Sequence, residues 1–292
     1  MSARHFKSWR SYWRFEKSVR ETNRFFRTRE AATFLNTVLE TSKPFHETWK
    51  AGTVLWRAQL GCDRQREPMS EGRIFERPYQ YQPDRMLPPR DAASEGRANP
   101  KGIPYLYAAT CRDTALAEVR PWAGSFISVG EFEVLKDLKI VNFTLRGHGK
   151  PSYTREPPPE ERTAAVWAHI DMAFSEPVTP SDAVADYAPT QVVAEMFRNA
   201  KFDGIAYLSA LGQGLNAALF DLDTVRLCSS QLFRAEFLQF TFCKVTSPRD
   251  YFPAEQEDIG EDGPRAADRM LDMRAVINIP CPSRISTDKV AK

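Results

Sequence analysis

The sequence predicts an α+β domain with a helical N-terminal extension. Three observations lead there. The first residues repeat apolar and basic side chains at helical spacing, the chain from Gly52 onward breaks into short β-like runs, and the helices between those runs do not follow a regular βαβ alternation. No Gly-x-Gly-x-x-Gly follows a strand and no Walker sequence is present, which removes the usual signatures of a doubly wound nucleotide fold.

Taken in order, "RHFKSWRSYWRFEKSVRETNRFFR" spaces Lys7, Arg10, Arg14, Lys17, Arg20, Arg24 and Arg27 by three or four residues, which places them near one side of a helix. Tyr12, Phe15, Val19, Phe25 and Phe26 fall between them. Two readings stay open: a solvated basic face whose aromatic side docks on the main domain, or a surface for anionic lipid, nucleic acid or a partner protein. A second helix is expected around "REAATFLNTVLE". Residues 53–60 read as a strand, and the stretch from Cys62 to Gly96, rich in Pro, Arg, Asp and Glu, reads as a long surface excursion of the kind that forms binding loops or lids. In "GRANPKGIPYLYAATCRDTALAEVRP" the alternation of Ile103, Tyr105 and Tyr107 predicts a strand feeding a helix. "SFISVGEFEVL" and "LKIVNFT" follow as strands, and "EPPPEE" is a stiff link. "EERTAAVWAHIDMAF" and "PTQVVAEMFRNA" are helices, and "FDGIAYLSA" and "NAALFDL" are strands. After about Thr246 the chain is polar and proline-punctuated, with one helical stretch near "PRAADRMLDMRAVI". The expected divisions are therefore 1–50, a basic helical extension; 51–245, the main domain; and 246–292, an appendage.

Bulk properties limit the function. The chain has 292 residues, 42% of them hydrophobic, which is enough for a sizeable core in one large or two small domains. No apolar run is long enough for a membrane span and "MSARHFKSWR" lacks the apolar stretch of a secretory signal, so a cytoplasmic location is expected. Five cysteines without a Cys-x-x-Cys pair point to reduced thiols rather than a disulfide framework. Four scattered histidines give no local signature of a metal site or a Ser/His/Asp triad, and His148 in "RGHGK" reads as a loop histidine. A net charge of +2 is too small to indicate nucleic-acid binding by the whole chain.

Three blocks in this order, "LWRAQLG", "EGRANPKGIPYLYAATCRDTALAEVRP" and "FDGIAYLSALGQGLNAALFDL", resemble the RES domain from about Gly52 to about Leu227. The resemblance implies a mixed or antiparallel β core similar to ADP-ribosyltransferases. It also implies a bacterial toxin of a toxin–antitoxin pair that consumes NAD, commonly by phosphorolysis to nicotinamide and an ADP-ribose phosphate. NAD and inorganic phosphate would then be substrates with no further cofactor, and a separate antitoxin a partner; a homo-oligomer is allowed. By resemblance Arg97, Tyr107, Glu118 and Ser209 match the family's active-site residues.

Elementary chemistry gives these residues matching tasks. Cleaving the ribose–nicotinamide bond builds oxocarbenium-like charge that a fixed carboxylate stabilises, which suits Glu118. An arginine fork suits a diphosphate or an attacking phosphate, with Arg97 the first choice and Arg57 the second. Tyr107 offers a ring face and a hydroxyl, and Ser209 a hydrogen bond to a ribose hydroxyl or to the carboxylate, orienting rather than attacking. Asn99, Thr110 and Asn216 either hold loop geometry or contact the dinucleotide. Each has a plainer reading: Glu118 paired with Arg112 or Arg120, Arg97 a surface loop residue, Tyr107 core, Ser209 a strand terminus. Two other functions share this sequence: ADP-ribosyl transfer to a protein or small molecule, and a non-enzymatic binding module built on the basic helix.

Overall fold

The apolar pattern of each predicted strand is resolved into two faces of one sheet. In the computed structural model, residues 5–22, 24–68, 74–144, 153, 155–176 and 184–239 are described. Ten strands are formed among them: β1 (His46–Trp49), β2 (Val54–Leu60), β3 (Asp63–Pro68), β4 (Ile74–Tyr79), β5 (Leu106–Ala109), β6 (Phe126–Val134), β7 (Leu138–Asn142), β8 (Gly204–Leu208), β9 (Leu215–Leu219) and β10 (Val225–Arg234). Eight make a single sheet in the order β1-β7-β8-β9-β5-β2-β6-β10, in which only β7 and β8 run parallel. The fold is α+β, with a mostly antiparallel sheet flanked by helices.

Six helices complete it: α1 (Ser11–Glu21), α2 (Arg29–Thr41), α3 (Pro83–Met86), α4 (Arg112–Glu118), α5 (Pro159–Ser175) and α6 (Ala188–Asn199). Neighbouring strand residues point to opposite faces. On β8, Ile205 and Tyr207 therefore join the core beneath α1, α2, α5 and α6, while Ala206 joins a second core with Leu55, Leu106, Phe132 and Leu219. α2 starts where the Thr28 hydroxyl accepts from the Ala31 amide at 3.2 Å, and Pro159 opens α5 at a position where its missing N–H costs nothing. The "EPPPEE" link thus runs directly into a helix start. Trp167 of α5 is fully buried and its indole N–H donates to Thr41 Oγ1 at 3.1 Å, pinning α5 to the end of α2.

The helical entry belongs to this first core. Tyr12, Phe15 and Val19 of α1 and Phe34, Leu35 and Val38 of α2 are buried with Val141, Trp167 and Phe197. Residues on both sides of the expected division at residue 50 therefore share this core. Docking stops at the end of α1, however. Phe25 and Phe26 are 89% and 86% exposed on the connection to α2, so the expected aromatic stripe ends at Val19.

The described residues within 62–96 form regular elements. β3 and β4 pair antiparallel, α3 follows, and Tyr81 and Met86 enter the second core. Charged residues along both strands hid the alternation, because this small two-stranded sheet is separate from the main one. β1 and β10 were also unread, and the strand expected from Ile103 begins only at Leu106. Among the described residues no helix is long and apolar enough to cross a membrane. The expected helix near 264–277, the appendage from 246 and His148 lie outside the described residues.

Candidate active site

The site grows from the end of β5. After Ala109, the Thr110 hydroxyl accepts from the Leu215 amide at 2.9 Å and ties β5 to the start of β9. α4 begins two residues later, and its seven residues carry the chain to Glu118 at its last position. Arg120, at φ 46°, then turns the backbone into the left-handed region immediately before Pro121. A carboxylate at a helix C-terminus faces the wrong end of the helix dipole, so it needs donors from elsewhere.

Those donors come from β8 and β9. Ser209 Oγ donates to Glu118 Oε1 at 2.6 Å, and Asn216 Nδ2 donates to the same oxygen at 2.7 Å. The Ser209 oxygen in turn accepts from the Leu211 and Gly212 amides at 3.1 and 3.0 Å. A serine hydroxyl has one proton and two lone pairs. With both lone pairs filled by amides, the proton is directed onto Glu118, and Ser209 is an orienting group with no lone pair left for attack. Among the described residues neither Glu118 oxygen takes part in an ion pair, and Arg112 lies beside Asp113 instead, at 3.7 Å. Both Ser209 bonds to main-chain amides follow from the "LSALGQG" turn, which returns its own backbone to the serine.

Glu118 and Asn216 line a cavity of about 250 Å³ together with Arg97, Arg120, Phe174 and Tyr207. Tyr207, which sequence reasoning did not single out, is buried against Phe174 with ring centroids 5.6 Å apart. Burial pushes its hydroxyl above the ordinary range, Tyr107 and Glu118 add to the rise, and Arg97 opposes it. It stands opposite Asn216 across β8 and β9, a register that no local pattern in the sequence signals.

Arg97 borders this cavity but its guanidinium is engaged by the protein. It donates to the carbonyls of Ala173 and Glu176 at the end of α5 and lies 5.8 Å from the centre of the Tyr187 ring. The sequence expectation of a free phosphate fork therefore needs an added step, in which an anion replaces carbonyl partners.

Tyr107 and Asn99 form a second unit. The Tyr107 hydroxyl donates to Asn99 Oδ1 at 2.8 Å and accepts from the Ala98 amide at 2.8 Å. Asn99 Nδ2 reaches the carbonyls of Ser94 and Ile103, at 2.9 and 2.8 Å, which fixes the loop before β5. Gly96 is required here because a Cβ would stand 2.6 Å from the Tyr107 hydroxyl oxygen. Burial raises the Tyr107 pKa, so the hydroxyl stays protonated as a donor.

Tyr107 and Asn99 also line a larger cavity of about 570 Å³ with Arg57, Gln59, Asp84 and Arg85. β2 pairs with β5 at a single position, Trp56 opposite Ala109, and in the gap beyond it Arg57 Nη1 donates to the Tyr107 carbonyl at 3.0 Å. Arg57 Nε is buried without a hydrogen-bond partner among the described residues. Burial lowers the Arg57 pKa to about 10, which still leaves a cation at neutral pH. Two expected site residues border neither cavity: the Thr110 hydroxyl serves the β5–β9 join, and Ser209 acts on the site only through its bond to Glu118. Among the described residues no group of three or more His, Cys, Asp or Glu side chains is arranged to hold a metal ion.

Comparison with known proteins adds the family. No curated protein matches the chain. Among solved structures, a chain of the Mycobacterium tuberculosis MbcT–MbcA toxin–antitoxin complex is similar at 16% identity over 64% of this chain and 87% of that one, with a TM-score of 0.35. The RES domain pattern matches residues 70–237, more than half of the sequence, and the cavity residues from Arg97 to Asn216 all lie within it. The chain belongs to the RES domain family.

Proposed function

We propose that this protein is a toxin-type, NAD-consuming enzyme that breaks the bond between nicotinamide and ribose, with inorganic phosphate as the preferred acceptor. The observation that carries the reading is the Glu118 carboxylate, whose Oε1 is saturated by Ser209 and Asn216 in a cavity. Its other oxygen makes no hydrogen bond among the described residues, and this leaves it for a ribose hydroxyl and for the charge developing on the sugar. As the C1′–N bond breaks, its electron pair moves onto the nicotinamide ring and neutralises the pyridinium. A phosphate oxygen then bonds to C1′, giving nicotinamide and ADP-ribose 1-phosphate. A carboxylate already oriented by two donors spends no reorganisation energy when that charge appears.

Phosphate over water as the acceptor is supported by Arg57. A half-buried cation whose Nε has no partner and that pairs with no carboxylate among the described residues is costly until an anion arrives, and Arg85 lines the same second cavity. The enzyme would act in the cytoplasm, where NAD is held, and a separate antitoxin would restrain it. Purified protein given NAD with and without phosphate tests the reading. Nicotinamide release that rises with phosphate, with a product heavier than ADP-ribose by one phosphate, is the expected result. ADP-ribose alone means hydrolysis, a mass gain on an added acceptor protein means transfer, and no nicotinamide release with a folded chain overturns NAD cleavage.

A further inference from the structure

We infer that α1 is a positioning element of the Glu118 cavity, acting through an ion pair between Arg20 and Asp186 that holds the Arg97 wall in place. The inference rests on reading that cavity as the NAD site.

Besides the Tyr107 hydroxyl, the side chains and carbonyls that grip the Arg97 loop from outside it come from the end of α5 or the start of α6. Ala173 and Glu176 accept from the guanidinium, the Tyr187 ring lies beside it, and the Thr190 hydroxyl donates to the Arg97 carbonyl at 2.6 Å. Gln191 Nε2 donates to the carbonyls of Gly96 and Asn99, at 2.9 and 3.1 Å. The cavity wall is therefore as well placed as these two helix ends are.

α1 is what touches both ends. Tyr12, Glu16 and Arg20 follow one another at intervals of four residues and so share one stripe of the helix. At one end of the stripe Tyr12 is buried, and its hydroxyl responds to the charges of Glu176 and Arg97. At the other end Arg20 Nη2 is 2.6 Å from Asp186 Oδ1, and Arg20 Nη1 is 3.6 Å from Glu16. Glu16 is raised by burial, with Glu176 and Asp186 adding to the rise and Arg20 opposing it. Glu16 thus feels the charges of Glu176 and Asp186, and Arg20 is the α1 cation within ion-pair distance of both Glu16 and Asp186. Without it, the uncompensated like charges of Glu16 and Asp186 push the α6 start away from α1, and Tyr187 and Thr190 move with it.

The chain with Arg20→Gln, Arg20→Lys or Asp186→Asn tests this by two routes. Amide hydrogen exchange reads the loop directly, because Gly96 N–H is bonded to the Asn99 carbonyl and Ala98 N–H to the Tyr107 hydroxyl. In Arg20→Gln and Asp186→Asn these two amides should exchange about 3–10-fold faster, and in Arg20→Lys they should stay within about twofold of the parent. Steady-state kinetics should show KM for NAD raised about 3–10-fold with kcat within about twofold, again restored by lysine. A control that changes Arg10, Arg14, Lys17 and Arg24 to Gln should do neither. Faster exchange confined to α1 and the α6 start, with the amides of residues 96–99 unchanged, overturns the inference. So does a loss in Arg20→Gln that lysine fails to rescue. Because exchange does not depend on turnover, a parent chain inactive on NAD would refute the proposed reaction and leave the coupling to be decided by exchange alone.

Discussion

Ser209 gives its only hydroxyl proton to Glu118 because two backbone amides, of Leu211 and Gly212, occupy the serine's lone pairs. The serine is thereby a relay from a strand-end turn to a carboxylate on another element, and the carboxylate is oriented before any substrate binds.

Glu118→Gln keeps the shape and removes the charge. Nicotinamide release should fall about 10²–10³-fold in kcat, the usual cost of one preorganised electrostatic group, while the melting temperature stays near that of the parent. Turnover within a few-fold of the parent in a folded variant would remove Glu118 from the chemistry.

Ser209→Ala and Asn216→Ala each delete one bond to Oε1, worth about 1.5–3 kcal/mol when the acceptor is charged, so each should slow turnover by about 10–100-fold. Both act on one oxygen, and the double variant should lose less than the product of the two. Full additivity in the double-mutant cycle would show that they act on separate groups. An ADP-ribosyl adduct on Ser209 in trapped enzyme, seen by mass spectrometry, would contradict the orienting role.

Arg57→Gln should weaken phosphate use and leave the empty fold no less stable. The native side chain is half-buried with its Nε buried and unsatisfied, so its removal relieves a desolvation cost and loses one bond to the Tyr107 carbonyl. Thermal melts should show the parent stabilised by phosphate and the variant not, and KM for phosphate should rise about tenfold or more, as for loss of a charge-assisted bond. Equal phosphate-induced shifts in the two proteins would place the anion elsewhere.

His169 makes stability pH-dependent. It lies between Trp9 and Trp13, with ring centroids 5.7 and 4.6 Å away, and burial lowers its pKa to about 4 against a weaker opposing hydrogen bond to the Trp9 main chain. The folded state holds the ring neutral while the unfolded chain protonates near pH 6.5. Stability from this group is complete above about pH 6.5, declines as pH falls toward about 4, and levels off below, for a total on the order of 3 kcal/mol. Denaturant melts of the parent and His169→Phe between pH 7 and 4 should differ in slope across that window. Parallel curves would show that His169 titrates alike in the folded and unfolded states.

The sequence by itself determined the α+β class, the helices with a clear apolar stripe, and the ordered blocks that place Arg97, Tyr107, Glu118 and Ser209 in one family pattern. Those features are local: α1 and α2 bury side chains at helical spacing, and β8 and β9 have residues of matched period, so neighbours along the chain carry the signal. Partners distant along the chain were invisible. Ser209 and Glu118 are 91 positions apart, and no spacing rule could say that serine would bond the carboxylate rather than a ribose hydroxyl. The guanidinium of Arg97 shows the same limit, since its partners lie at the end of a helix 76 and 79 residues away. β3 and β4 were hidden because their strands alternate charge with charge, β10 because polar residues interrupt it, and Tyr207 because one tyrosine in an apolar strand reads as core. Only the tertiary structure decided which of these side chains face a cavity, because that depends on sheet register and on where helix ends fall, and both are set by packing between elements far apart in the chain.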